Sequence, residues 1–290
     1  MNTFLKYVVI TPVRDEEKHI EATVRSVTTQ TILPTEWIIV DDGSTDHTVE
    51  IVEEYAEKCE WIRLVRRPNR GMRKSGAGVI EAFYDGYQML RRGDWDFIVK
   101  LDGDLTFSSD YFEKCFEHFA SDVRLGIGGG EIYHEIAGEQ KVEGNPKFHV
   151  RGATKIYKRA CWEAIGGLMK APGWDTIDEV KANMLGWKSF SFPQLQVLHH
   201  RVTGSADGLL RDRIKHGLAC YISGYHPLFL AASCVSRLLK KPYVTGSVAI
   251  CYGYLKGYWT RTPRVNDKQL IKYLRHQQLR RLWGLETIWR

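Results

Sequence analysis

Asp102-Gly103-Asp104 offers two carboxylates one residue apart, directly after the apolar run Phe97-Ile98-Val99-Lys100-Leu101. In an extended chain, residues two apart point to the same side. Two hard carboxylate oxygens on one side suit Mg²⁺ or Mn²⁺, which also prefer diphosphate oxygens. Such an ion neutralises charge growing on a leaving nucleoside diphosphate. The glycine between the acids would let a ligand approach the backbone. A D-x-D on its own also fits a surface turn, and its place after a buried run is what favours metal binding. Asp41-Asp42-Gly43-Ser44-Thr45-Asp46 follows a second apolar run. Asp41 or Asp42 could accept a hydrogen bond from a base N–H, while Ser44 or Thr45 could cap a helix beginning near His47. Arg14-Asp15-Glu16 follows a third run. Three acidic clusters repel one another unless a cation or a donor-rich ligand sits among them.

The elements that must position these groups are legible as alternation. Tyr7-Val8-Val9-Ile10, Trp37-Ile38-Ile39-Val40 and Phe97-Ile98-Val99-Lys100-Leu101 are short, mostly apolar runs. They suit strands buried on both faces of a parallel sheet. Between them, Ile20, Val24 and Val27 share a helical face, as do Val49, Val52 and Tyr55, and Val79, Phe83, Tyr87 and Leu90. This predicts a doubly wound, mostly parallel α/β sheet, with ligands beyond the carboxyl ends of its strands. From Gly126 the pattern changes. Gly128-Gly129-Gly130 and Glu131 to His134 predict a bent strand and a loop. Cys161–Gly166 and Asp178–Leu185 predict short helices, and Gln196-Val197-Leu198 a late strand. Helical periodicity then runs to the end. The expected domains are 1–204, catalytic, and 205–290, a helical extension.

Thr11-Pro12-Val13-Arg14-Asp15-Glu16, Val40 to Asp46, Asn69-Arg70-Gly71 and Leu101-Asp102-Gly103-Asp104 occur in this order. Together they closely resemble glycosyltransferase family 2, which has the GT-A fold, over roughly residues 6–204. The resemblance implies transfer of a sugar from a nucleotide-sugar with inversion at the anomeric carbon. It implies that Thr11, Pro12, Arg14 and Glu16 lie along the nucleotide and that Asp41 and Asp42 meet its base. Gly71 and Lys74 would approach the nucleotide, Asp102 the ribose or the metal, and Asp104 the metal. A His after the last strand often reaches the metal or diphosphate in this family, and His199 is the expected third ligand.

Inversion in one displacement needs one carboxylate that deprotonates the acceptor hydroxyl as its oxygen attacks. The family places it in an acidic pair opening a helix, eleven residues before a Gly-aromatic. Gly186-Trp187 is that landmark and points to Asp175, preceded here by Trp174 rather than Glu. Asp178-Glu179 matches the pair better after a three-residue gap. Asp175, Asp178 and Glu179 are therefore all base candidates, and all three could instead be first-turn acids complementing the helix dipole. Trp174 could stack on a sugar or pack in the core. The processive members' Q-x-x-R-W motif is not found, which favours transfer of a single sugar, with a lean to a UDP donor. The acceptor is expected to be a lipid-linked or cell-surface glycan.

Charge divides the chain. The net charge is +6, but residues 205–290 hold 15 Lys/Arg against 4 Asp/Glu, leaving 26 against 31 in residues 1–204. His216–Ser236 and Pro242–Leu255 carry no Asp, Glu, Lys or Arg, and basic residues flank both. Aromatic, basic, amphipathic segments suit an interfacial helix pair on an anionic membrane. They also suit a subdomain packed on the core with a solvated basic face, and the membrane reading is the favoured one. The six cysteines form no C-x-x-C pair, and the first apolar run has four residues, short of a signal-peptide core. Both features predict reduced thiols and a cytoplasmic protein, peripheral on the inner face of the cell membrane. A sugar nucleotidyltransferase is disfavoured because no Gly-rich signature follows the first strand. A nucleic-acid-binding protein is disfavoured by the acidic clusters, despite the basic tail.

Overall fold

The computed structural model describes residues 5–69, 71, 77–91, 93–136, 138–201, 208–239 and 242–289. Strand and helix alternate first: β1 (Tyr7–Val13), α1 (Ile20–Thr28), β2 (Glu36–Asp41), α2 (Thr48–Lys58), β3 (Ile62–Arg66), α3 (Ala77–Gln88) and β4 (Phe97–Leu101). β5 (Leu105–Thr106), α4 (Tyr111–Ser121), β6 (Leu125–Ile136), β7 (Glu139–Val142) and β8 (Thr154–Lys158) follow. α5 (Arg159–Ile165), α6 (Trp174–Met184) and β9 (Lys188–His199) complete the sheet region. The remainder is α7 (Leu209–Ile222), α8 (Pro227–Ser236), α9 (Tyr243–Trp259) and α10 (Lys268–Leu282).

One nine-stranded sheet runs β3-β2-β1-β4-β8-β6-β9-β5, with β7 paired to β6. β1 is parallel to β2 and β4, and β2 to β3, as the buried runs predict. Beyond β4 the sheet is mixed: β8 runs antiparallel to both β4 and β6, while β9 runs parallel to β6. β1 alternates its side chains between two cores. Tyr7 and Val9 pack with Val24, Phe112 and Phe116 on one face. Val8 and Ile10 pack with Phe83 and Trp162 on the other. Both faces are therefore covered, and only the strand ends are left for ligands. α6 begins at Trp174, four residues before the expected start, because Gly173 takes a left-handed φ of 86° and ends the preceding turn. The expected domain boundary at Gly204 lies outside the described residues.

The basic tail packs on the catalytic body. Leu270 and Leu274 of α10 bury against Ile177 and Val180 of α6. α7 and α9 touch backbone to backbone: a Cβ on Gly217 would lie 2.0 Å from the Ile250 carbonyl, and one on Gly253 2.0 Å from that of Ile214. With its glycine face spent on α7, α9 turns Val244, Val248, Tyr252, Leu255 and Trp259 outward, all exposed and spaced to share one face. Among the described residues, no helix is long and apolar enough to cross a membrane. The six cysteines are free thiols.

Candidate active site at the carboxyl edge of the sheet

β4 ends at Leu101, so Asp102 and Asp104 lie on a turn rather than on an extended strand. The turn still brings them together: one ligand atom from each of Asp102, Asp104 and His199 lies within 4.8 Å of the others. Gly103 serves packing instead of ligand approach, since a Cβ there would sit 2.7 Å from Val13 and 3.2 Å from Ile20. β5 pairs Leu105 with His199, which sets His199 Nε2 3.2 Å from Asp104 Oδ2. That is about the spacing of neighbouring ligands around an octahedral cation. His199 Nδ1 is buried and has no partner among the described residues. Two carboxylates and an imidazole fit Mn²⁺ or Mg²⁺, the nitrogen favouring Mn²⁺. Burial would raise the Asp104 carboxyl, but the His199 hydrogen bond and the charges of His199, Arg201 and Lys100 hold it low. His134 steadies His199: its Nδ1 is 2.9 Å from the His199 carbonyl and its Nε2 2.8 Å from Glu143. His200 points elsewhere, bonded to Thr106 at 2.7 Å and stacked on His19.

The ends of β1 and β2 form the adjoining edge. Arg14 Nη1 donates to the Asp42 carbonyl at 2.9 Å and its Nη2 to Asn69 at 3.1 Å, joining three loops. The Asp41 carboxylate accepts from its own turn, at Gly43 and Ser44. Asp42 pairs with Arg67. Glu16 is buried and accepts from Arg201 Nη2 at 2.6 Å. Thr11 is fully buried, its hydroxyl taken by the Trp37 indole at 2.8 Å. Pro12 is half-buried beside it in β1, and Gly71 is exposed with a φ of 73°. Lys74 lies outside the described residues. Ser44 and Thr45 do not cap α2. The Ser44 hydroxyl accepts from the Asp15 N–H, and the Thr45 hydroxyl and N–H donate to the Asp15 carboxylate. Asp15 itself holds a φ of 53°, a conformation that Asp tolerates better than most residues.

The three base candidates separate clearly. Asp178 is 3% exposed and Glu179 0%. Lys155 Nζ lies 3.0 Å from both Asp178 oxygens and 2.9 Å from Glu179, and Tyr157 donates to Asp178 as well. Glu179 also binds the Val150 N–H at 2.7 Å and His149 Nδ1 at 2.9 Å. Burial, together with the Glu179 charge, pushes Asp178 up to about 6 against the pull of Lys155. Asp175 is only half-buried, on the first turn of α6. Among the described residues, no side-chain hydrogen bond holds its carboxylate. Burial would raise it, but His149, Lys155 and Arg151 keep it low and ionised.

Sequence reasoning missed the two lysines that organise this region. Lys100 and Lys155 are register partners across β4 and β8, 2% and 0% exposed. Lys100 binds Asp102, and donates to the Gly152 carbonyl at 2.6 Å. Lys155 binds the Asp175 carbonyl along with Asp178 and Glu179. Both ammonium groups lie over the Trp174 ring, at 5.6 and 5.5 Å from its centroid. Trp174 is thereby occupied in the core, not free to stack on a sugar. A Cβ on Gly152 would lie 2.8 Å from Trp174 and 3.4 Å from the Asp175 Cβ. Asp102 and Asp175 are thus separated by little more than the chain entering β8. The one available signal was a lysine inside each apolar run, Ile98-Val99-Lys100-Leu101 and Thr154-Lys155-Ile156-Tyr157.

Similarity to known proteins agrees with this geometry. Residues 8–163 match the description Glycosyl transferase family 2, and the chain belongs to that family, whose members are glycosyltransferases. The uncharacterized glycosyltransferase EpsJ of Bacillus subtilis is 30% identical over 130 residues, covering 44% of this chain and 34% of its own. The chondroitin synthase of Pasteurella multocida is 30% identical over 107 residues, 37% of this chain and 10% of its own. The chain thus spans about a third or less of these relatives. Among solved structures, the mannosyltransferase PcManGT from Pyrobaculum calidifontis, in complex with GDP-Man and Mn²⁺, has a TM-score of 0.60 at 18% identity, covering 89% of both chains. S. aureus TarS 1-349 with UDP-GlcNAc has a TM-score of 0.55 at 16% identity, covering 93% of this chain and 78% of that one. At such identities the likeness is one of fold, and the fold is GT-A-like.

The cluster carries a pH signature. Burial would lower the His149 pKa, but the charge and hydrogen bond of Glu179 and the charge of Asp175 outweigh it and the nearby Lys155, leaving it raised. A raised folded pKa contributes stability that is complete below the unfolded value of ~6.5 and lost as pH rises through the folded value. The gap in thermal midpoint between wild type and His149→Gln is therefore expected to be widest below that pH and to narrow above it. A gap that widened with pH would reverse the assignment.

Proposed function

We propose that the chain is a metal-dependent inverting glycosyltransferase that moves one sugar from a nucleoside-diphosphate sugar to a hydroxyl of a glycan or lipid-linked acceptor. The observation that carries this is the convergence of Asp102, Asp104 and His199 at the end of β4, with the Asp175 carboxylate, which among the described residues no other side chain hydrogen-bonds, across Gly152 from it. Solved structures of similar fold hold GDP-Man with Mn²⁺ and UDP-GlcNAc, which supports a nucleotide-sugar donor, with UDP favoured here. Asp102, Asp104 and His199 would hold Mn²⁺ or Mg²⁺, which when bound supplies positive charge opposite the diphosphate. Asp175 takes the acceptor proton on a carboxylate oxygen. The acceptor oxygen forms the new bond to the anomeric carbon while the carbon–oxygen bond to the diphosphate breaks, and the diphosphate leaves with the electron pair.

Geometry ranks Asp175 over Asp178, although the higher pKa of Asp178 is closer to the usual range of a general base. Both Asp178 oxygens are engaged by Lys155, and no acceptor hydroxyl can reach them without breaking the buried pair. Arg14, Glu16, Asp41 and Asp42 shape the donor edge chiefly by bonding one another's loops. Of the residues expected along the nucleotide here, Pro12 is half-buried, Asp42 is buried and paired with Arg67, and Thr11 is fully buried.

The exposed apolar face of α9, with Lys256 and Arg261 beside it, supports peripheral contact with an anionic membrane at the cytoplasmic surface. The likeness to nucleotide-sugar transferases leaves no observation favouring a nucleotidyltransferase or a nucleic-acid-binding protein.

Two measurements check these assignments. Asp175→Asn should lower kcat about 10²- to 10⁴-fold with the donor KM little changed, whereas Asp178→Asn should chiefly lower the melting temperature. Asp175→Asn turning over at the wild-type rate removes it as the base. Full-length protein should cosediment with vesicles containing anionic lipid, and Val248→Glu with Trp259→Glu should release it. Equal binding of that double variant would discard the α9 face as the contact.

A further inference from the structure

A cavity of about 540 Å³ lies between residues 146–149, the first turn of α6, and the helices α7, α8 and α10. Thr176, the neighbour of Asp175, forms part of its wall. Gly173, which precedes α6, is pressed against α7: a Cβ there would meet the Ser223 hydroxyl at 2.7 Å. The cavity thus reaches the first turn of α6, and His216 and Tyr225 in its wall feel the charge of the neighbouring Asp175.

Its lining is amphiphilic in an ordered way. One wall is a chain of rings. Phe148 meets Trp289 edge-on at 5.4 Å, Trp289 meets Phe229 at 5.8 Å, and Phe229 meets Tyr225 at 6.2 Å. Arg237 and Arg281 stand among the lining residues, which include no Asp or Glu. Arg281 donates to the Trp289 carbonyl at 3.2 Å, and among the described residues no carboxylate forms an ion pair with Arg237 or Arg281. Two uncompensated arginines beside an apolar wall complement an anion attached to an apolar chain. The outer surfaces of the same region expose Leu228 and Val235 on α8, Leu239 after it, and Trp283 and Leu285 after α10. A chain leaving the cavity would therefore meet more apolar surface.

We propose that this cavity is the acceptor site and that it takes a phosphate-linked lipid, with the phosphate on Arg237 and Arg281 and the apolar chain along Phe148, Phe229 and Trp289. The acceptor hydroxyl then faces Asp175. The assignment rests on the glycosyltransferase reading and narrows its acceptor to an anionic amphiphile. It also explains why the tail packs on the catalytic body: α7, α8 and α10 supply walls that the sheet lacks.

Binding, read without donor or metal, separates this proposal from the transfer reaction. Full-length protein is titrated with dodecyl phosphate below its micelle concentration, following tryptophan fluorescence and the heat of binding. Inorganic phosphate and dodecanol are the two control probes. Dodecyl phosphate is expected to bind at least about tenfold more tightly than either control. Arg237→Gln and Arg281→Gln are each expected to weaken it by about tenfold, while Arg237→Lys recovers part of the loss. Phosphate binding as tightly as dodecyl phosphate would show an anion site only, and dodecanol doing so an apolar pocket only. Either result, or arginine variants that bind like wild type with unchanged melting temperatures, overturns the proposal. If binding behaves as expected but no nucleotide-sugar is turned over, the cavity assignment stands and the transfer reading fails.

Discussion

Lys100 and Lys155, facing each other across β4 and β8, carry the electrostatic constraint on which the rest of the site depends. A buried ammonium is unfavourable by several kcal/mol unless it is paired and hydrogen-bonded. Buried carboxylates carry the same penalty. Here each offsets the other. Lys100 holds Asp102 at the end of its own strand, and Lys155 holds Asp178, Glu179 and the backbone of Asp175. Trp174 covers both ammonium groups and keeps water from them. The start of α6 is thereby registered to the end of β4. The turn proposed to hold the metal and the carboxylate proposed as the base are held in one frame by two side chains.

That frame divides labour among acids of one type. Asp178 and Glu179 are consumed in neutralising Lys155 and His149, and they give the helix its place. Asp175, four residues from Glu179 and on the same helix, shares the positive field without sharing the bonds. It is therefore ionised and, among the described residues, free of side-chain hydrogen bonds. A similar split separates Asp104, tied to His199, from Asp41, whose oxygens close their own turn. The acidic body is thus largely compensated from within. The basic tail is not: its helices bury glycine faces against one another and leucines against the body, and leave arginines and apolar surface turned outward.

Much of this was legible in the order of residues. The three β-branched runs became β1, β2 and β4, and the acids after them gathered at one edge because parallel strands end together. His199 met Asp104 because β5 pairs back onto β9. β3 escaped notice because Ile62-Arg63-Leu64-Val65-Arg66 interleaves charge with apolar residues and lies at the sheet edge. The choice between Asp175 and Asp178 was closed to sequence for a different reason. The residue that decides it, Lys155, is 20 positions away and becomes its neighbour only through the β4–β8 pairing. Gly103 was misread because its missing side chain makes room for Val13, a contact that spacing does not reveal. The cavity under α8 was equally hidden, since its walls come from five separate segments.

The proposed reaction is a single displacement served by the Asp175 carboxylate on the face opposite the diphosphate. Stereochemistry tests it most directly. Proton NMR of the first product formed from an α-linked nucleotide-sugar, recorded on the anomeric signal, should show a β linkage. An α-linked product would require a second nucleophile or a front-face route, and would contradict the assignment of Asp175 as the base.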